Sequence, residues 1–174
     1  MKWKSNVSSL IKEVELRKSP IIVRVNKFDE DSAKKFSDEI ALAHNTGQKV
    51  IPVVIDSYGG QVYSLMSMIS AIKNSDIPVA TIVDENATLM IHDVSSMDMG
   101  KVEELKAGAH EADRLNTIVY KMMAQNCGKK DDYFLKIVDK KKHADWFLDA
   151  EEAKKYNLAN QLRIPTMQIS IDVN

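Results

Sequence analysis

The sequence predicts an α/β fold, and three stretches carry that prediction. VIPVVI (Val50–Ile55) and PVATIV (Pro78–Val83) are short continuous apolar runs, as expected of strands buried on both faces of a parallel sheet. Between them, Gln61–Asn74 is rich in Met, Leu and Ile at helical spacing, so strand, helix and strand form one βαβ unit with a right-handed crossover. A helical period then runs from Val102 to Asn126 and gives the longest helix of the chain.

The remaining elements follow in order. Met1–Lys18 is mixed and polar, and residues 1–19 are set apart as an N-terminal arm from a single domain over 20–174. PIIVRV (Pro20–Val25) is β-branched and predicts a strand. Asp29 or Asp31 caps the next helix, whose apolar positions are Ala33, Phe36, Ile40 and Ala43. Gly47 marks a left-handed exit from that helix, and Pro52 is expected at a strand start. ATLMIH (Ala87–His92) predicts a third buried strand. The long helix should bury Val102, Leu105, Ala112, Leu115, Val119 and Met122, and Gly128 ends it. Asp132–Val138 is a short helix and Trp146–Leu148 is extended. Asp149 and Glu152 form a capping-box-like start to AEEAKKYNL, and Ile164–Val173 alternates as a terminal strand.

Composition narrows the function. With 174 residues, 44% apolar and 28% charged, the chain suits one globular domain. A net charge of −1 gives no electrostatic footprint for nucleic acid or a membrane surface. One cysteine, Cys127, excludes an internal disulfide and favours a reducing compartment, so a cytoplasmic protein is expected. No run is apolar enough to span a membrane, and no His/Cys cluster has zinc spacing. No GxxxxGK[ST] occurs, so ATP would have to be handled by a partner.

Chemistry is suggested first at Asp56-Ser57-Tyr58-Gly59-Gly60. A strand followed by a Gly-Gly turn and a helix can aim backbone N–H groups at one point, and the helix N-terminus adds partial positive charge. Such a turn suits an oxyanion, though many βα turns carry glycine for steric reasons alone. The segment VVIDSYGGQVYSLMSMISAIKNSDIPVATIV, the MIHDV around His92 and HADWFLDAEEAKKYNLAN together resemble the Clp protease proteolytic subunit (ClpP) family. The resemblance runs in colinear order from Pro20 to about Leu162, with IIVRVNKFDEDSAKKFSDEIALAHNTGQK matching the first strand and helix. Asn157 stands where the family has glycine and Asn160 where it has aspartate.

The resemblance implies a ClpP/crotonase-like βαβ core with a protruding handle helix, and a serine-peptidase site. His92 would be the base, Asp145 its orienting acid, and Gly59 or Gly60 an oxyanion donor. It also implies stacked seven-membered rings of identical or paralogous subunits, an AAA+ Clp unfoldase as partner, unfolded polypeptide as substrate and no cofactor of the chain's own. The nucleophile is missing. The family bears it in a turn between the VATIV-type and MIH strands, an interval that here is only Asp84-Glu85-Asn86. No serine lies between Asp76 and Ser95, Ser95 and Ser96 follow His92, and the family does not use Ser57 as a nucleophile. The two strands should be parallel in the family fold, yet a parallel crossover needs about a dozen residues. The sequence thus expects either a rebuilt, tight antiparallel link or a gene product with more residues here.

The other histidines have simpler readings. His110 is solvated helix surface, His44 lies near a helix end and interacts with its C-terminal dipole or with water, and His143, two residues before Asp145, is an alternative base. Asp145 could equally be a strand-end carboxylate, and His92 without the resemblance would be a core histidine. The leading function is a Clp ring subunit without peptidase chemistry, a pseudoenzyme. The alternatives are an active ATP-dependent serine endopeptidase and a crotonase-like acyl-CoA binding protein.

Overall fold

The computed structural model describes residues 19–97 and 99–162. The N-terminal arm and the strand expected at 164–173 lie outside them. The elements are β1 (Val23–Val25), α1 (Glu30–Ala43), β2 (Ile51–Ile55), α2 (Val62–Lys73), β3 (Val79–Ile82), β4 (Thr88–Ile91), α3 (Val102–Asn126), α4 (Tyr133–Lys140), β5 (Trp146–Asp149) and α5 (Ala150–Lys155). The α/β class and the βαβ unit stand as the sequence predicts.

β1, β2 and β3 form a parallel sheet in that order, with Val23 beside Val53 and Val53 beside Thr81. Alternation along each strand sends Val23, Val25, Ile51 and Val53 into a core with Ala33, Phe36, Ile40 and Ala43 of α1 and Met68 of α2. Those four α1 positions recur every three or four residues, which places them on one helical face. Asp29 starts α1, its carboxylate accepting from the Ser32 amide at 2.9 Å while the Ser32 hydroxyl accepts from the Asp29 amide at 3.0 Å. Pro52 is the second residue of β2. At the far end of α1, His44 Nδ1 donates to the Ile40 carbonyl at 2.9 Å, which leaves Nε2 to accept from the Asp76 amide at 3.2 Å.

The link after β3 departs from expectation. β3 and β4 make neither a parallel pair nor a tight antiparallel one, because they belong to different sheets. A turn at Asp84, whose side chain accepts from the Asn86 amide at 3.0 Å, sends the chain away. The outer edge of β3 is met instead by the segment after α5: Val83 N–H donates to the Gln161 carbonyl and Gln161 N–H to the Thr81 carbonyl, both at 3.2 Å. Asn160 Oδ1 accepts from both the amide and the hydroxyl of Thr81 at 2.8 Å. An acceptor is all that this position requires, and asparagine supplies it.

β4 pairs antiparallel with β5, from Thr88 beside Asp149 to Ile91 beside Trp146. The expected fully buried strand is therefore one half of a two-stranded ribbon with an open outer face. Ile91, Trp146 and Leu148 face a second core with Tyr120, Ala124, Phe134 and Val138, while Met90 and Phe147 are exposed. The α3 boundaries are those the sequence predicts, but only its second half packs. Leu115, Tyr120 and Ala124 are buried, whereas Val102 and Leu105 are exposed, so the expected apolar face is corrected at its N-terminal end. Gly128 leaves α3 with φ +66. Asp149 caps α5 by accepting from the Glu152 amide at 2.7 Å. Asn157 exits α5 at φ +64, a conformation that asparagine tolerates where other side chains are strained.

Phe134 is wholly buried between Tyr133 and Trp146, so Phe134→Ala should cost about 3–5 kcal/mol in urea unfolding. The exposed Met90→Ala should stay within about 0.5 kcal/mol of the native chain in the same titration.

Candidate functional site

The glycine turn is fastened to the chain that leaves β1. Asp56 N–H donates to the Val25 carbonyl at 2.9 Å, Phe28 N–H to the Gly59 carbonyl at 3.2 Å and Gln61 N–H to the Phe28 carbonyl at 2.7 Å. This brings Phe28 against Gly60 in a parallel bridge. A Cβ at Gly60 would lie 2.3 Å from the Phe28 carbonyl oxygen, so only glycine fits. Gly59 faces open space and is needed only for its φ of +100. Its N–H donates to Ser57 Oγ at 3.1 Å, which also gives the Ser57 hydroxyl a structural task. Of the two candidate oxyanion amides, Gly60 is the one that no hydrogen bond engages among the described residues. Tyr58, on the same turn, is fully exposed.

His92 lies one residue past the last β4–β5 pair, and Asp145 one residue before it on the other strand. They thus flank the same end of the ribbon, but no hydrogen bond or ion pair joins them among the described residues. His92 Nδ1 donates to the carbonyl of its neighbour Asp93 at 2.6 Å; a carbonyl only accepts, so Nδ1 carries the proton. Asp145 is exposed and remains a strand-end carboxylate.

The carboxylate–imidazole couple that does form was not read from the sequence. His143 Nδ1 meets Asp93 Oδ2 at 2.8 Å, Tyr120 donates its hydroxyl to Asp93 Oδ1 at 2.7 Å, and His143 Nε2 lies 3.3 Å from Asp139 Oδ1. Burial, and then the Asp93 carboxylate, push the Tyr120 hydroxyl well above its usual range, so it remains a donor. Lys142 and His143 both adopt left-handed backbone, at φ +55 and +58. Such residues cost about 1–3 kcal/mol each and persist where surrounding contacts hold them. The sequence offered one hint of this couple, His143 two residues before Asp145; nothing local marked Asp93 or Tyr120.

The long helix ties the two halves of the site together. Tyr63, in the first turn of α2, donates its hydroxyl to Glu111 at 2.6 Å, and Arg114 donates to both oxygens of Glu111 at 2.7 Å. Five residues on, Asn116 Oδ1 accepts from the Val94 amide at 2.6 Å, and beyond it Tyr120 holds Asp93. At 1.5 Å per residue, α3 spaces Glu111 from Tyr120 by about 14 Å along its axis. A cavity of about 370 Å³ opens at the C-terminal ends of β1, β2 and β3, lined by Arg24, Asp56, Ile82, Asp84 and Asn86 among others.

Among the described residues no serine hydroxyl or thiol hydrogen-bonds His92. Ser95 and Ser96 are exposed on the loop after β4. Among these residues no three His, Cys, Asp or Glu side chains cluster to hold a metal ion, and no helix is long and apolar enough to cross a membrane. Cys127 is buried, its thiol pushed up by burial and donating to the Asn157 carbonyl at 3.3 Å.

Two measurements test this geometry. Gly60→Ala should lose about 1–3 kcal/mol of stability, and more than Gly59→Ala, in thermal unfolding. The Arg114 guanidinium and the Tyr63 hydroxyl hold the Glu111 carboxyl down at about 2. Its contribution is therefore complete above the ordinary glutamate value of about 4 and is lost as the pH falls toward 2. The urea midpoint of Glu111→Gln should lie below that of the native chain at pH 7 and converge with it at pH 2.

The comparisons with known proteins agree with this architecture. A family model described as Clp protease matches residues 4–84 and 81–164, two stretches that meet at the β3 exit. The chain is 26% identical over 119 residues to the ATP-dependent Clp protease proteolytic subunit 2 of Frankia casuarinae, covering 68% of this chain and 52% of that one. It is also 26% identical over 141 residues to the ATP-dependent Clp protease proteolytic subunit 1 of Rhodopirellula baltica, covering 68% of this chain and 60% of that one. It thus spans little more than half the length of either relative. With a parallel βαβ core, a glycine turn on its second strand and a long helix beyond the histidine strand, this chain belongs to the Clp protease family.

Proposed function

We propose that this chain is a Clp-type ring subunit without peptidase chemistry of its own, acting as a structural or modulatory member of the assembly. One observation carries the reading: only Val83 to Ala87 separate β3 from β4, and no serine hydroxyl meets His92 among the described residues. In a complete site His92 would take the nucleophile's proton, Asp145 would orient the imidazole, and Gly60, with Gly59 beside it, would face the oxyanion. Here His92 bonds its neighbour's carbonyl and Asp145 has no histidine partner, an arrangement left over from such a site. In this reading the subunit joins seven-membered rings with itself or a paralogue. α3 is the inter-ring handle, and an AAA+ Clp unfoldase uses ATP to deliver unfolded polypeptide.

A second reading, an active ATP-dependent serine endopeptidase, is favoured by where the family match divides. The two stretches meet at 81–84, and the Rhodopirellula alignment runs over 141 residues while taking up the same 68% share of this chain. Both features suit a relative with additional residues at the β3 exit.

Three measurements separate the readings. Native mass spectrometry should show a ring of seven copies or a multiple, and a fluorophosphonate probe should leave the chain unlabelled. Labelling of a serine, with an intact mass above the 19.6 kDa of this sequence, would establish the active peptidase instead. A trimer or hexamer would overturn both and point to a crotonase-type assembly.

A further inference from the structure

We propose that His143 is a proton-operated clasp that fixes the loop leaving β4 to α4. Its ring stands between two carboxylates from different parts of the chain, Asp93 at 2.8 Å from Nδ1 and Asp139 at 3.3 Å from Nε2. A neutral imidazole carries one N–H, so with Nδ1 donating to Asp93 its other nitrogen would turn a lone pair toward Asp139. An imidazolium is attracted to both carboxylates, hydrogen-bonding Asp93 through Nδ1 and pairing as an ion with Asp139 at 3.3 Å. The proton thus decides whether one contact or two closes.

The clasp reaches three elements. Tyr120 of α3 donates to the other oxygen of Asp93, so Asp93 cannot swing away without breaking a partly buried bond. The His143 amide donates to the Val138 carbonyl at 3.1 Å, which anchors the imidazole's own backbone to the end of α4. Other charges bear on the ring: Asp145 two residues on, His92 next to Asp93, and Lys140, Lys141 and Lys142 before it on the same turn. Lys141 is drawn to the Trp146 ring, 5.2 Å from its centroid. On α3, Lys121 is paired with Asp131 at 2.9 Å. The reporter sits one residue past Asp93, where the Val94 amide donates to Asn116 Oδ1.

The sign follows from the geometry. With a proton on both nitrogens the ring is held by both carboxylates and the loop is fixed; with the ring neutral the Asp139 attraction is lost and Asp93 faces an uncharged partner. The inference depends neither on ring assembly nor on the nucleophile, so it stands or falls apart from the proposed function.

The experiment is amide hydrogen exchange at Val94 in the full chain at pH 5.5 and pH 8, corrected for intrinsic exchange, with 15N spectra of the His143 ring. Val94 protection should be roughly two- to fivefold higher at pH 5.5, as suits a half-exposed pair, and both ring nitrogens should carry protons there. The difference should vanish in His143→Asn, chosen because asparagine accepts the left-handed backbone, and in Asp139→Asn, which keeps the histidine. Equal protection at both pH values in the native chain, or a pH response that survives in Asp139→Asn, would overturn the clasp.

Discussion

A parallel pair of strands cannot be joined by a tight turn, because the chain must travel back the full length of a strand before it can run the same way again. Val83 to Ala87 is too short for that journey. β4 therefore cannot lie parallel beside β3, and it pairs antiparallel with β5, which arrives later from the end of α4. Along the outer edge of β3, Gln161 and the Asn160 side chain take up its polar groups. Among the described residues one core lies beneath the parallel sheet, another beneath the ribbon, and a smaller cluster of Val83, Ala150, Ala153 and Ala159 sits where the chain leaves β3.

The local signals held up well. Caps at Asp29 and Asp149, glycine exits at Gly47 and Gly128, and the full extent of α3 were all legible, because each depends on residues within a turn or two of one another. The two departures at Asn157 and Asn160 are conservative in physical terms, one keeping a left-handed backbone and the other an acceptor for Thr81. The burial of β4 was not legible, since an apolar run of that length reads the same on a central strand as on a ribbon with one open face. Nor was the free half of α3, whose apolar residues signal a face without saying what covers it.

The candidate site divides along the same line. The glycine turn was readable because its geometry is set by Gly59, Gly60 and the strand before them, and the structure shows which of the two cannot change. The histidine side was not, because its bonds reach across 27 and 50 residues of sequence, from Asp93 to Tyr120 and to His143. The fold puts His92 and Asp145 at the same end of one ribbon, while the imidazole–carboxylate bond is made by Asp93, next to His92, and His143, two residues before Asp145.

The first part of α3 has a wider consequence. From Val102 to His110 every residue but Gly108 is exposed, with Met97 and Met99 equally bare just before it. A helical arm of that length, with little tertiary burial to oppose fraying, is marginal in water. Its helicity then rests on its own backbone and on pairs such as Lys106 with Glu103 at 2.8 Å, so a surface that covered Val102 and Leu105 would also hold it wound.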